Sequence, residues 1–385
     1  MKPLSHSLRP LRTRAFRVSL AATTLALASC LVSEPALTPE TPAAERIRAE
    51  PARPHPVVVL VALDGVRWQE VFLGVDPALS RRFRLPANEV VSAEELMPNL
   101  HRIIDDEGAA LGAPGAGAPM VASGPNFVSL PGYLELFRGR RHSPCTKNDC
   151  LPTEDLTLVD EVAQRAGGWA TEVSVIASWA GISKAAARHP ERLVVSTGRH
   201  GGPTRHFLRY DTTAARLLDA GARSSAYPGH GDYRPDRYTS AIALRYLETQ
   251  TPRFLFVGLG DSDAYAHHGL YRDYLTGLRN ADATIGEIDR VLSELRARGY
   301  PATLLVTADH GRGKRFAGHG AVAPESARVW LVASGSGITA RREVAAPKLR
   351  RLADVAPTIR SLMRLPPAEP AVDQGEVLSE LFGQR

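Results

Sequence analysis

The sequence of 385 residues contains only three cysteines, so no second cysteine pair is present that could complete a zinc site made of thiolates. It has no internal repeat and no G-x-S-x-G motif, the turn that carries the nucleophile in many serine hydrolases. Hydrophobic residues make up 44% of the chain and charged residues 23%, a balance that excludes wholesale disorder and collagen-like repeats. The composition predicts a globular protein, and the length allows one large domain.

Acidic residues are absent from the first 29 positions, where five basic residues precede an apolar run at 18–28. A basic stretch followed by a short apolar run predicts a secretory signal peptide. The run ends in L-A-S-C, which resembles a bacterial lipobox, so we predict a lipoprotein signal peptide at 1–29 and lipidation of Cys30. The alternative is an N-terminal helix that is not cleaved. We expect an exported lipoprotein, anchored to the membrane through Cys30 and facing the periplasm or cell surface.

The basic net charge belongs mostly to this targeting segment. The whole chain carries a formal charge of +6 and has an isoelectric point of about 9.4, which would by themselves suggest an anionic partner. Without the five basic residues of the signal peptide, 42 Lys and Arg remain beside 41 Asp and Glu, which gives +1. We therefore expect no nucleic acid polymer as a partner.

The two remaining cysteines lie close together in the segment CTKNDC. Four residues separate Cys145 from Cys150, enough to close a small disulfide ring that an oxidising compartment would preserve. The alternative is a pair of reduced thiols.

Residues 30–56 are rich in proline and alanine and predict a tether without regular structure. The composition changes at Val57, where a continuous apolar run begins, of the kind buried on both faces of a parallel sheet. We predict one catalytic domain at 57–380, folded as a three-layer α/β/α sandwich with a largely parallel central sheet. Further strands are expected at 169–178, 192–196, 253–259, 302–308 and 328–334, and helices at 96–107 and 273–298.

Carboxylates follow three of these predicted strands. Asp64 follows the first, Asp261 and Asp263 follow 253–259, and the pair Asp309 and His310 follows 302–308. In open α/β sheets the carboxyl ends of strands form the ligand site, so these side chains should converge. Converging carboxylates either hold protons or bind cations.

Histidines near these carboxylates favour cation binding over protonation of the carboxylates. His267 follows Asp263 by four residues, and His319 lies in a glycine-rich segment after His310. Mixed imidazole and carboxylate ligands suit zinc best and manganese second. The segment GPNFVSLPGYLELF places Ser129 before a helix-compatible run, where a metal could activate its hydroxyl as a nucleophile.

Taken in order, these motifs resemble the alkaline phosphatase superfamily. They are LDG at Asp64, SLPGY at Ser129, DAYAH at Asp263, TADHG at Asp309 and GHG at His319. The segments at 97–109 and 354–366 also resemble that superfamily's first helix and C-terminal segment, so the resemblance covers nearly all of 57–370.

The resemblance implies an alkaline phosphatase-like fold and two divalent metal ions. Asp64, Ser129, Asp309 and His310 would hold the first ion, and Asp263, His267 and His319 the second. It further implies catalysis by Ser129 through a phosphoseryl intermediate, with Asn148 contacting a phosphoryl oxygen.

The expected substrate is a phosphate ester of a small molecule, lipid or glycan, and the subtype stays open. We favour a phosphodiesterase or a broad phosphatase, because no Lys-x-Arg pair for a monoester is evident. Tyr133 occupies the position of a sulfatase arginine, which disfavours a sulfatase. The alternatives are a sulfatase-like enzyme, a phosphoryl or phosphoglycerol transferase, or a silent metal-binding lipoprotein.

Four further residues lie near these motifs in the sequence. Asp261 and His268 are expected to support the ligands or to be solvated. His230 is expected in a loop, with a substrate-facing position as the alternative, and Trp179 is expected in the core.

Overall fold

Three parallel strands of apolar residues form the centre of the fold, as seen in a computed structural model that describes residues 54–166 and 170–383. In chain order the strands are β1 Val57–Leu63, β2 Gly108–Leu111, β3 Met120–Val121, β4 Val173–Ala177, β5 Val194–Thr197, β6 Phe254–Leu259, β7 Ala302–Thr307, β8 Arg328–Val329, β9 Leu331–Gly335, β10 Arg342–Glu343 and β11 Arg350–Arg351. Every residue of β1, β6 and β7 is buried, because β1 lies between the other two and both faces of the sheet are covered.

Twelve α-helices accompany the strands within the described residues. They are α1 Trp68–Leu73, α2 Pro77–Phe83, α3 Ala93–Leu96, α4 Pro98–Asp106, α5 Ser129–Arg138, α6 Leu158–Arg165, α7 Ser183–Ala186, α8 Thr212–Arg223, α9 Asp236–Gln250, α10 Asp261–His267, α11 Tyr271–Ala297 and α12 Val355–Leu362. The long helix α11 packs on α4, α9 and α10, whereas α5 packs on α6, α7 and α12. Two groups of helices therefore enclose the sheet.

The large sheet has the strand order β10-β2-β9-β7-β1-β6-β4-β5. Only β9 runs antiparallel to its neighbours, β7 and β2, and the other pairs are parallel. A second, three-stranded sheet has the order β11-β3-β8. The predicted α/β fold with a largely parallel central sheet is thereby confirmed.

The register of the central strands brings their carboxyl ends level. Ala62 of β1 pairs with Gly258 of β6 and with Thr307 of β7. Asp64 lies two residues after Ala62, and Asp309 lies two residues after Thr307. The two aspartates are therefore at the same edge of the sheet.

Two of the predicted elements are interrupted. The strand expected at 328–334 divides at Trp330, whose ring is fully buried, into β8 of the small sheet and β9 of the large one. The helix expected at 96–107 divides at Met97, because Pro98 begins a new helix and Met97 has left the helical conformation.

The predicted signal peptide at 1–29, and all but the last three residues of the tether at 30–56, lie outside the described residues. Residues 53–385 group as one compact unit, and the predicted boundaries at 57 and 380 stay a prediction. None of the helices in the described part of the chain combines the length and the apolarity needed to cross a membrane. Cys145 and Cys150 are joined by a disulfide bond.

Candidate metal centre

The first part of the site is built where β1 and β7 end. Asp64 and Asp309 are both buried, and Oδ1 of Asp309 accepts hydrogen bonds from the N–H groups of Gly65 (3.1 Å) and His310 (2.9 Å). Gly65 has a φ of 63°, and a Cβ atom there would lie 2.5 Å from Oδ1 of Asp263. Only glycine allows this turn to pass so close to the ligand cluster.

Ser129 is the first residue of α5 and is buried beside the same carboxylates. Its Oγ lies 3.3 Å from Oδ1 of Asp64 and 3.3 Å from Nε2 of His310. One turn later, the hydroxyl of Tyr133 donates to Oδ2 of Asp64 at 3.0 Å. Gly132 lets α5 approach this strand end, because a Cβ atom at that position would lie 2.5 Å from the carbonyl oxygen of Asp309.

Two histidines are oriented by backbone carbonyl groups. Nδ1 of His310 lies 2.8 Å from the carbonyl oxygen of Gly311, and Nδ1 of His319 lies 2.8 Å from that of Phe127. These contacts favour protonation at Nδ1 and leave both Nε2 atoms as acceptors that face the cluster. A histidine that binds a metal through one ring nitrogen usually donates a hydrogen bond from the other ring nitrogen, as these two can.

The second part of the site joins α10 to the loop that follows β7. Nε2 of His267 lies 3.1 Å from Oδ2 of Asp263, one helical turn earlier, and 3.0 Å from Nε2 of His319. The rings of His310 and His319 stack with their centroids 4.0 Å apart, so the two parts of the site adjoin.

The arrangement fits divalent cations. Two groups of side chains each place their ligand atoms within 4.8 Å of one another. The first group is Asp64, Asp309 and His310, and the second is Asp263, His310 and His319. Oδ2 of Asp309 is buried and has no hydrogen-bond partner among the described residues. A buried carboxylate oxygen without a donor is costly unless a cation neutralises it.

The electrostatics of the cluster reflect crowding and burial. Burial, followed by repulsion from Asp309 and Asp263, holds the pKa of Asp64 well above its usual range. Burial likewise raises the pKa of Asp309 to about 8 and lowers that of His310 well below its ordinary value. The donor set thus gathers carboxylates that are hard to ionise together and a histidine that stays neutral, the form in which histidine binds metals.

Sequence reasoning missed Arg312, which reaches the cluster from the loop after β7. Its guanidinium donates to Oδ1 of Asp263 and to the carbonyl oxygens of Phe316 (2.6 Å) and Ala317 (2.8 Å). Burial alone would raise the pKa of Asp263, but this arginine together with His267 and His310 outweighs burial and holds that pKa well below its usual range. No signal in the sequence distinguishes Arg312 from the neighbouring basic residues Lys314 and Arg315, which are exposed.

A cavity of about 300 Å³ opens beside Ser129, and its lining includes Asp64, Asp263 and His267. Its lining further includes Asn148, Trp179, Pro228, His230, Tyr233 and His268. Trp179 was expected in the core; it packs against the core only in part and also lines this cavity. His230 also lines this cavity, and its substrate-facing role stays a prediction.

The remaining candidates lie around this cavity. Oδ1 of Asn148 accepts a hydrogen bond of 2.9 Å from the N–H group of Leu130, next to Ser129. Asp261 accepts from the hydroxyl of Tyr233 at 2.7 Å, and Nε2 of His268 lies 2.9 Å from the carbonyl oxygen of Pro228. Asp261 and His268 therefore support the walls of the cavity.

Comparisons with known proteins agree with this geometry. The sequence model of the metalloenzyme superfamily matches residues 235–367, the part of the chain that contains Asp263, His267, Asp309, His310 and His319. A 2,3-bisphosphoglycerate-independent phosphoglycerate mutase of Thermomicrobium roseum is 24% identical over 188 residues, which cover 43% of this chain and 34% of that enzyme. The chain thus spans about a third of the length of this relative.

Solved structures share the fold. A phosphonate monoester hydrolase of Agrobacterium radiobacter superposes with a TM-score of 0.55 at 15% identity, covering 85% of this chain and 77% of that one. The alkaline phosphatase PafA gives a TM-score of 0.52 at 12% identity, over 86% and 99% of the two chains. A 2-O glycosaminoglycan sulfatase, BT1596, gives 0.53 at 13% identity, over 86% and 75%. The predicted alkaline phosphatase-like fold is thereby confirmed.

Proposed function

We propose that the protein is a metalloenzyme of the superfamily whose sequence model matches residues 235–367. We further propose that it hydrolyses phosphoric esters, and phosphodiesters in preference to monoesters, through a phosphoseryl intermediate on Ser129. The observation that carries the proposal is the position of Ser129 Oγ, 3.3 Å from Asp64 Oδ1 at the mouth of a cavity lined by candidate metal ligands. We further propose that the enzyme acts outside the cytoplasm as a lipoprotein.

Two divalent ions, with zinc preferred to manganese, would lower the pKa of the serine hydroxyl and stabilise charge on the phosphoryl oxygens. The first would be held by Asp64, Ser129, Asp309 and His310, and the second by Asp263, His267 and His319. Zinc is preferred because three of these ligands are imidazoles.

The chain's own residues orient the nucleophile. Ser129 begins α5, so its oxygen projects from the helix N-terminus, an end that favours anions. Ser129 Oγ attacks phosphorus, the bond from phosphorus to the leaving alcohol breaks, and the serine keeps the phosphoryl group with its second ester substituent. Water then attacks the same phosphorus and releases Ser129. Tyr133 is a positioning residue, because its hydroxyl fixes the Asp64 carboxylate.

Asn148 supplies a donor on the cavity side. Its Oδ1 is occupied by the N–H group of Leu130, so the polar group left for a substrate is the side-chain NH2. An amide donor beside the nucleophile suits a phosphoryl oxygen that gains charge in the transition state.

The preference for diesters follows from what surrounds the nucleophile. Among the described residues that line the cavity there is no lysine and no arginine to pair with the second negative charge of a monoester. The guanidinium of Arg312, which contacts the cavity-lining Asp263, is buried and already donates to this carboxylate and to two backbone carbonyls. Trp179, Pro228 and Tyr233 instead offer apolar surface for a second ester substituent.

Trapping of the intermediate tests this proposal. The full chain, loaded with zinc, is mixed with bis(p-nitrophenyl) phosphate, quenched in acid and digested, and the Ser129 peptide is weighed by mass spectrometry. We expect a p-nitrophenyl phosphoryl adduct on Ser129, and neither adduct nor turnover in Ser129→Ala. Turnover that persists in Ser129→Ala would contradict the assignment of the nucleophile.

A further inference from the structure

A small covalent ring lies beside the nucleophile. The disulfide between Cys145 and Cys150 closes a loop of four intervening residues, and one of them, Asn148, lines the cavity. The hydrogen bond from the Leu130 N–H group to Oδ1 of Asn148, 2.9 Å long, connects this ring to the first turn of the nucleophile's helix.

The ring also contacts Asn126, which in turn contacts the loop that carries His319. The side-chain NH2 of Asn126 donates to the carbonyl oxygen of Thr146 at 2.7 Å, and its Oδ1 accepts from the N–H group of Ala321 at 2.6 Å. Ala321 lies two residues after the candidate ligand His319. The ring is therefore tied to both the nucleophile's helix and the loop that carries this ligand.

Cys145 is buried in the core, but among the described residues the segment between the two cysteines makes few contacts besides those named above. Residues 146–149 belong to no helix or strand and are exposed, and within the described part of the chain the side chains of Lys147 and Asp149 form ion pairs with no residue but each other. A short exposed segment of this kind samples many conformations unless a cross-link restricts it. A catalytic donor, in contrast, must be held within a fraction of an ångström of its working position.

We propose that the Cys145–Cys150 disulfide is a positioning element for the reaction: it fixes Asn148 so that the side-chain NH2 meets a phosphoryl oxygen, and its effect on catalysis passes through Asn148. This inference rests on the proposed hydrolase function. The disulfide touches no substrate, and it acts by limiting where one amide group can go.

A double-mutant cycle on the full chain tests the coupling. Four proteins are compared with a chromogenic diester: wild type, Asn148→Ala, the pair Cys145→Ser with Cys150→Ser, and the triple variant. We expect kcat/KM to fall about 10²-fold in Asn148→Ala and about tenfold in the cysteine pair. The triple variant should be no worse than Asn148→Ala alone, with metal content unchanged throughout. Losses that multiply in the triple variant would overturn the proposal.

Hydrogen exchange gives a readout that needs no turnover. The Leu130 amide should exchange at least tenfold faster in Asn148→Ala, which removes the acceptor Oδ1, and in the cysteine pair, which no longer holds that acceptor in place. Asp149→Ala, which alters an exposed side chain of the same ring, is the matched control and should leave exchange and turnover unchanged. Unchanged exchange at Leu130 in the cysteine pair would refute the positioning role.

Two further experiments distinguish failure of this proposal from failure of the hydrolase proposal or of folding. If wild type turns over no ester, the hydrolase proposal fails, and exchange at Leu130 still decides whether the disulfide positions Asn148. If the cysteine pair does not fold, one glycine inserted after Lys147 keeps the disulfide and displaces Asn148. That insertion should lower kcat/KM in wild type and leave it unchanged in the Asn148→Ala background; equal losses in both backgrounds would overturn the proposal.

Discussion

The N–H group of Gly65 donates a 3.1 Å hydrogen bond to Oδ1 of Asp309, and this bond joins the turn after β1 to the end of β7. It occupies one carboxylate oxygen, while Oδ2 stays buried without a partner among the described residues. Asp64, in the position before Gly65, faces the same space with a pKa that burial raises. Asp64 and Asp309 are therefore suited to the cation site that we propose.

Replacement of Asp309 by asparagine should remove this capacity. Asp309→Asn keeps the shape of the side chain and the acceptor for Gly65 but loses the charge, so we expect loss of at least one metal ion and of most activity. Elemental analysis of the purified protein measures metal content directly. Asp105→Asn, which changes a surface carboxylate paired with Arg342, is the control and should keep its metals. Full metal content in Asp309→Asn would contradict the ligand assignment.

Trp179 should contribute to the choice of substrate. Its ring forms part of the cavity wall, so Trp179→Ala should raise KM for bis(p-nitrophenyl) phosphate by roughly tenfold, with a smaller effect on methyl p-nitrophenyl phosphate. Trp179→Phe, which keeps an aromatic ring, should restore most of the difference. Equal effects of Trp179→Ala on both diesters would show that the ring does not contact the second substituent.

Glu135 on α5 should make stability depend on pH. It is buried and accepts from the Ser123 N–H group (2.8 Å), the Ser123 hydroxyl (2.6 Å) and the Ala353 N–H group (3.0 Å). Burial outweighs these bonds and raises its pKa to about 7, compared with about 4.3 in an unfolded chain.

Because its pKa is higher in the folded state, Glu135 binds more protons there and stabilises the fold most below about pH 4. This contribution is lost as the pH rises toward 7, by at most about 1.4 kcal/mol per pH unit. Urea unfolding of wild type and Glu135→Gln between pH 5 and 8 measures it. The stability of wild type relative to Glu135→Gln should decrease over this interval. A difference independent of pH would show that Glu135 does not titrate there.

Cys30 should determine whether the protein is attached to a membrane. Cys30→Ala removes the thiol that the lipid would modify and leaves the basic and apolar parts of the signal intact. We expect the variant to be exported and recovered in the soluble fraction, whereas wild type sediments with membranes. Continued membrane association of Cys30→Ala would contradict the lipoprotein prediction.

The central strands and their terminal carboxylates could be predicted because both signals are local. The apolar run of β1 identifies a strand buried on two faces, and the position of Asp64 directly after it gives its place at the sheet edge. The same reasoning applies to Asp309 after β7. Parallel pairing then brings together Gly65 and Asp309, which are 244 positions apart in the chain.

Features that depend on loop paths could not be predicted in this way. Trp330 ends one strand and precedes another because its ring is buried and its Nε1 donates to the carbonyl oxygen of Val66, a contact that periodicity does not contain. Arg312 joins the site because the loop after β7 folds back over its guanidinium. Trp179 lines the cavity because its strand ends at Ala177, one position earlier than the apolar pattern indicates.

The proposed diesterase activity is tested most directly with three chromogenic esters: a phosphate diester, a phosphate monoester and a sulfate ester. Turnover of each ester is measured with the zinc-loaded full chain and with Ser129→Ala. The account predicts that the diester is cleaved fastest and that cleavage disappears in Ser129→Ala. Faster cleavage of the monoester or the sulfate ester by wild type would contradict the diesterase assignment. No cleavage of any ester, with two metal ions bound, would contradict the hydrolase function.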